Sequence, residues 1–217
     1  MIDIVHEIDA IRREVGTGQL PAGDARVVRL RRDYDAPIDD VWDALTNPER
    51  IARWFLPVTG DFRVGGRYQL EGNAGGEIVS CERPHRLQVT WVYGDPTDPA
   101  AASDVEVRLV TAGEGTTLEL EHTAIVPDEM WTEFGPGAVG VGWDMAMLGL
   151  ALHLRTGGKA VDDAEAWQLS PEGRDFSARS SSGWGAANEA AGADPAVVAR
   201  NVANTAQFYA PDPEAPA

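Results

Sequence analysis

Gly137-Ala138-Val139-Gly140-Val141-Gly142-Trp143-Asp144-Met145-Ala146-Met147-Leu148-Gly149-Leu150-Ala151-Leu152-His153 is the stretch whose reading decides the fold. It is the longest apolar run in the chain, and Val139, Trp143, Met147, Leu150 and Leu154 recur at helical spacing. One charge, Asp144, interrupts it. A membrane span needs about 20 apolar residues, and this run is shorter and rich in glycine. The pattern predicts a helix covered on nearly every face, and no membrane span. Something must supply that cover, and the segments upstream are strand-like.

Those upstream segments carry clear turn chemistry. Asp61 to Val64 and Arg67 to Glu71 flank Gly65-Gly66, a two-residue hairpin signal. Gly72 to Gly76 turns into Glu77 to Glu82, and Pro84-His85 turns into Arg86 to Tyr93. In that last strand Leu87, Val89, Trp91 and Tyr93 share one face. Gly94 to Pro99 reads as a loop. Asp104 to Val110 and Thr117 to Ile125 alternate apolar with charged residues around Gly113-Glu114-Gly115. Clean alternation predicts an antiparallel sheet with one wet face and one covered face, and the apolar helix is the cover.

Before these strands, Arg26 to Asp33 reads as the first strand. Two short helices follow, one after Pro37 with Val41, Trp42 and Leu45, the next from Glu49 to Phe55. One strand, two helices, then a run of strands predicts an α+β fold rather than alternating βαβ units. At the N-terminus, Ile4, Ile8, Ile11 and Val15 predict an amphipathic helix over 2–15, ended by Gly16-Thr17-Gly18, with Pro21 to Gly23 as a linker. After Gly157-Gly158 the composition shifts, and Ser170-Pro171 and Asp194-Pro195 open two helices of an α-hairpin. The tail from Pro211 is expected to fray. The expected division is 1–24 as helix and linker, 25–157 as the main domain, and 158–217 as a helical extension.

Composition excludes several functions. The formal net charge is −17 over 217 residues, whereas nucleic acids and anionic membranes call for basic surfaces. Cys81 is the only cysteine, so there is no intrachain disulfide and no cysteine-based zinc site. His6, His85, His122 and His153 lack metal-ligand spacing, and no cofactor or metal is expected. Neither a Gly-x-Ser-x-Gly elbow nor a complete phosphate-binding loop is present. No signal sequence opens the chain, so a cytoplasmic protein is expected.

The run Tyr34-Asp35-Ala36-Pro37-Ile38-Asp39-Asp40-Val41-Trp42-Asp43-Ala44-Leu45-Thr46-Asn47-Pro48-Glu49-Arg50-Ile51-Ala52-Arg53-Trp54-Phe55 resembles a family signature. Gly65-Gly66-Arg67-Tyr68, Gly75-Gly76, Pro84 to Trp91, Gly115 to His122 and Gly142-Trp143 follow in the family's order. The resemblance covers about residues 26–155. It is to the activator of heat-shock protein 90 ATPase homologue family of the START-like (SRPBCC, Bet v-like) superfamily. The terminal additions resemble those of actinobacterial members. The resemblance implies a helix-grip fold, a strongly bent antiparallel sheet around a long C-terminal helix. It leaves function open, because members similar in fold bind lipids, cyclise polyketides or regulate a chaperone.

A sheet around one helix either fills its centre or encloses a cavity. Aromatic side chains from separate elements converge there, and small-molecule pockets are mostly apolar. The expected ligand-binding set is Trp54, Tyr68, Trp91, Tyr93, His122, Trp131, Phe134, Trp143 and Met147, with Ser80 as a further polar point. A hydrophobic or aromatic small molecule is the expected partner, and a filled aromatic core is the alternative. The segment Pro127 to Pro136 either caps a cavity mouth or packs down as core. His122, on the covered face, is either a satisfied structural histidine or an orienting or acid/base group. Asp144 either faces the interior or, the favoured reading, solvent near a helix end. Two rival functions remain: a cavity enzyme of cyclase or hydrolase type using His122 or Asp144, and a stress-related or chaperone-cofactor-like interaction protein whose N-terminal helix and C-terminal α-hairpin form a homodimer or a client surface.

Overall fold

The computed structural model describes residues 2–95, 98, 101–161 and 163–211. Part of the expected 94–99 loop and all but the first residue of the tail lie outside these. Eight antiparallel strands form one sheet in the order β1 (Arg12–Leu20), β2 (Gly23–Tyr34), β8 (Gly115–Ala124), β7 (Ser103–Ala112), β6 (Arg86–Thr90), β5 (Gly75–Glu82), β4 (Arg67–Leu70), β3 (Val58–Gly60). β2 spans Gly23–Tyr34, and α2 (Ile38–Thr46) and α3 (Pro48–Trp54) follow it. Asn47 separates the two helices, and its side chain accepts from the Glu49 N–H to start α3. The strands continue with β3 (Val58–Gly60), β4 (Arg67–Leu70), β5 (Gly75–Glu82), β6 (Arg86–Thr90), β7 (Ser103–Ala112) and β8 (Gly115–Ala124). After a short α4 (Asp128–Phe134) comes α5 (Gly137–Thr156), the long helix that the sheet wraps. The architecture is α+β and helix-grip, as the element order and the resemblance imply.

α5 is long and apolar enough to cross a membrane by composition, yet 67% of its apolar window is buried inside the protein. Burial on several sides is what an all-round apolar helix requires. Gly157, with φ of 67°, ends it in the left-handed conformation that glycine adopts without penalty.

The N-terminus differs from the expected helix over 2–15. α1 covers only Ile4–Asp9, and Arg12–Leu20 is β1, the outermost strand, paired with β2 from Arg12↔Arg31 to Leu20↔Gly23. Ile11 and Val15 satisfy a period of two as well as a helical period, so spacing alone does not separate the alternatives. Gly16, Thr17 and Gly18 are poor helix formers, and an open edge of β2 was available for pairing. Residues 21 and 22 are thus a hairpin turn rather than a linker. Asp61 to Val64, expected as a strand, is a loop. The Gly66 N–H turns back to the Arg63 carbonyl, and the Gly65 N–H bonds to Ile78.

The C-terminal helices are α6 (Ala164–Leu169), which the sequence reading did not anticipate, α7 (Pro171–Ala190) and α8 (Pro195–Tyr209). Ser170 and Asp194 cap α7 and α8 as expected. α7 is part of the core rather than an appendage: Trp184 and Phe176 are fully buried, and Trp184 belongs to the main apolar cluster. The apolar stripe of α1 is covered within the chain, with Ile4 and Ile8 against Leu148 and Phe176.

Candidate functional site

Between α5 and the concave face of the sheet lies a cavity of about 440 Å³. That is within the roughly 300–1,000 Å³ range of small-molecule sites. α5 contributes Trp143, Ala146, Met147 and Leu150 to its wall. The strands contribute their inward parity: Leu87, Val89 and Trp91 on or just after β6, Val105 and Val107 on β7, Leu118 and Leu120 on β8. α2 and α3 close one side with Leu45, Ile51 and Trp54, next to Phe55. The loop before β4 forms the rim, where Phe62 and Val64 stand about half-exposed beside Arg63.

Aromatic rings make a contiguous wall. Trp54 stacks on Phe55 at 5.5 Å between centroids, Phe55 lies 6.3 Å from Trp91, and Trp91 lies 5.0 Å from Trp143. Tyr68 flanks Trp91 at 6.4 Å. Several polar atoms of this wall are engaged within the protein. The Trp54 indole donates to the Ala44 carbonyl at 3.0 Å, the Tyr68 hydroxyl to the Thr90 carbonyl at 2.8 Å, and the Thr46 hydroxyl to the Trp42 carbonyl at 2.7 Å. Burial also pushes the Tyr68 phenol up, keeping it neutral. The Arg63 guanidinium, at the rim, pairs with Asp61 at 2.7 Å. The exposed thiol of Cys81 also borders the cavity. A surface of this kind offers dispersion and π contact with few hydrogen bonds.

The structure brings together Trp54, Tyr68, Trp91, Trp143 and Met147 of the expected set. Three others lie elsewhere. Tyr93 is 72% exposed, because pairing on this segment stops at the Gly75↔Val92 bridge and the parity that holds Trp91 inward is not carried beyond it. Trp131 sits under the Arg26 guanidinium at 4.8 Å, and Phe134 meets Phe208 at 5.6 Å with ring planes tilted at 60°. Both side chains of α4 therefore turn toward β2 and α8 and not toward the cavity. The Ser80 hydroxyl is buried without a hydrogen-bond partner and does not border the cavity.

His122 and Asp144 are also off the cavity surface. His122 is 6% exposed; its Nδ1 accepts from the Trp143 indole at 3.0 Å and its Nε2 lies 2.5 Å from the Ser103 hydroxyl. Since Nδ1 must accept, Nε2 carries the proton and donates to Ser103. Burial pushes the imidazole pKa down to about 4, so the ring is neutral. Asp144 faces the interior on the far side of α5, contrary to the favoured reading of the sequence. It is fully buried, paired with Arg13 Nε at 2.9 Å and hydrogen-bonded by Ser180. Its partners come from β1 and α7, two elements whose positions no local pattern disclosed. Burial pushes its pKa up to about 6, against the pull of Arg13 and Ser180. Neither group has a direct line to a molecule in the cavity, which removes the contact that acid/base chemistry would need.

The aliphatic part of the wall was not singled out from sequence. Its signal was present in the alternation of β7 and β8, but alternation marks a covered face without telling a filled one from a hollow one.

No curated protein matches the chain. Similar solved structures include CalU16 from Micromonospora echinospora, 39% identical over 83% of this chain and 99% of that one, with a TM-score of 0.66. Protein MLL2253 from Mesorhizobium loti is 28% identical over 60% of this chain and 98% of that one, with a TM-score of 0.53. DynU16, from the dynemicin biosynthetic locus, is 26% identical over 62% of this chain and 49% of that one, with a TM-score of 0.52. The family model described as Activator of Hsp90 ATPase homolog 1-like protein matches residues 35–155, from the turn before α2 to the end of α5. Because that match takes in more than half of the chain, including the helix pair, strands β3 to β8 and the long helix, the chain belongs to this family, within the START-like SRPBCC superfamily.

Proposed function

We propose that this protein is a cytoplasmic binding protein that holds an uncharged, aromatic or otherwise hydrophobic small molecule in the helix-grip cavity. The observation that carries this reading is the wall itself: about 440 Å³ of space bounded mainly by aromatic and aliphatic side chains, with the polar atoms of Trp54, Tyr68 and Trp143 already engaged within the protein. A ligand with buried charge or unmet hydrogen bonds would be penalised there. A planar hydrophobic ring system would gain contact with Trp91, Trp143 and Phe55. The relative DynU16 comes from a biosynthetic locus, a setting in which small organic molecules are made.

The test is titration of the full chain with N-phenyl-1-naphthylamine, a neutral dye that brightens in apolar surroundings. Saturable one-to-one binding that is lost in Ala146→Trp, where an indole occupies the space, is the expected result. Absence of binding, or binding unchanged in Ala146→Trp at retained fold, would reject the cavity as the site. Native mass spectrometry of protein purified without denaturation would then reveal whether a cellular molecule is carried along.

A further inference from the structure

We infer that Ser103 and His122 form a bracket that fixes the angle between the two indoles of the cavity wall, Trp91 and Trp143, and so decides which ring systems the cavity accepts. The specificity clause rests on the binding reading above; the bracket itself does not.

The two indoles come from different elements, Trp143 from α5 and Trp91 from the end of β6. Their centroids are 5.0 Å apart with ring planes at 50°. Each borders a void, and on that side an indole has no neighbouring atoms to limit its rotation. What restrains Trp143 is its N–H, which donates to His122 Nδ1 at 3.0 Å, with the imidazole edge-on at 81°. The other imidazole nitrogen is held by the Ser103 hydroxyl at 2.5 Å. The Ser103 carbonyl in turn accepts the backbone N–H of Trp91 at 2.7 Å. One residue at the start of β7 therefore holds both indoles, Trp91 through its main chain and Trp143 through the imidazole.

A histidine kept only to fill the core would be equally served by any satisfied arrangement. Here both ring nitrogens are spent on linking the two wall tryptophans, and the imidazole stays behind Trp143, away from the void. His122 is thus a positioning residue, and it acts on a ligand only through Trp143.

Three variants of the full chain separate this role from simple packing. His122→Phe keeps a flat ring but has no acceptor. His122→Asn places an amide oxygen near the position of Nδ1. Ser103→Ala leaves the imidazole without its anchor. One readout needs no ligand: the indole N–H resonance of Trp143, assigned by its loss in Trp143→Phe, together with the tryptophan exciton couplet in circular dichroism, assigned by its loss in Trp91→Phe. The other is affinity for N-phenyl-1-naphthylamine.

The expected result is a shifted resonance, a weakened couplet and about tenfold weaker dye binding in His122→Phe, all restored in His122→Asn. An unchanged resonance and couplet in His122→Phe, or failure of His122→Asn to restore them, would overturn the bracket. Should His122→Phe not fold, Ser103→Ala decides: a weakened couplet supports the bracket and an unchanged one overturns it. A wild-type protein that binds no dye, yet loses its couplet in His122→Phe, upholds the bracket and overturns both the specificity clause and the binding reading.

Discussion

The two sides of α5 are built on opposite plans. Toward the sheet, Trp143, Ala146, Met147 and Leu150 face open space. On the other side the helix is gripped without slack. The Trp184 indole lies so near Gly140 that an added Cβ would meet it at 2.3 Å. Next along this side, Asp144 is locked to Arg13 and Ser180, and Leu148 sits 2% exposed among Ile4, Ile8 and Phe176. An apolar void lined by flexible side chains would tend to collapse, because its walls forgo contacts they could make with one another. The gripped side of the helix is packed by α1, α7 and the edge strand β1, all of which lie outside the segment matched to the family.

That contrast can be broken most severely at the ion pair. Asp144→Leu leaves the Arg13 guanidinium with no anionic partner at a side chain only 8% exposed. The expected cost is about 3–5 kcal/mol in urea unfolding. The double change Arg13→Met with Asp144→Leu is expected to recover most of it, since an apolar pair of similar volume has no stranded charge. A double variant as unstable as the single one would show that packing around Asp144, and not its charge, grips the helix.

A second effect comes from the sheet side and depends on pH. The His122 pKa lies at about 4 in the folded protein against 6.5 for a free imidazole. Between these values the unfolded chain binds a proton that the folded chain does not. The stability tied to His122 is therefore whole above pH 6.5, declines as pH falls, and is fully lost below pH 4. The loss amounts to about 3 kcal/mol. Asp144 works in the opposite sense: its pKa is raised from 3.8 to about 6, so its stabilising protonation is complete below 3.8 and is lost as pH rises through 6. Comparing wild type with His122→Asn removes the Asp144 contribution, and the stability difference between them should narrow or reverse as pH is lowered from 6.5 to 4. A constant difference would mean that His122 stays charged or exposed in the folded state.

Smaller changes test the packing itself. Gly140→Ala, on the tight side, forces its methyl into Trp184 and should cost about 1–3 kcal/mol. Ala146→Leu, the matching enlargement on the cavity side, should change stability by no more than about 1 kcal/mol and in the stabilising direction, because it fills empty space. Equal thermal shifts for the two would erase the distinction between the gripped and the open side.

Several elements were legible from residues alone because their signals are local. Turn glycines, the Asn47-Pro48 and Asp194-Pro195 starts, and the alternation of β7 and β8 each involve neighbours along the chain. The helix-grip order, and the place on the cavity wall of five of the nine expected residues, follow from such signals plus the parity of the strands. Local signals stopped short wherever two periods fitted at once. Ile11 and Val15 suit a helix and a strand equally, and the unpaired edge of β2 settled it. They also stop where pairing ends: parity places Tyr93 inward, but the last bridge on this segment is Gly75↔Val92, and Tyr93 beyond it is exposed. Trp131 and Phe134 carry the right chemistry, but their direction depends on Arg26 and Phe208, both remote in sequence.

By itself, then, the sequence determined the apolar helix, the alternating strands and the supply of aromatic rings, because each is written in spacing over a few residues. Only the tertiary structure decided that the centre is hollow, that His122 serves Trp143, and that Asp144 is buried against Arg13. A cavity is a difference between the positions of elements far apart in the chain, and a buried charge is stable only beside a partner that folding delivers. Neither quantity has a local signature.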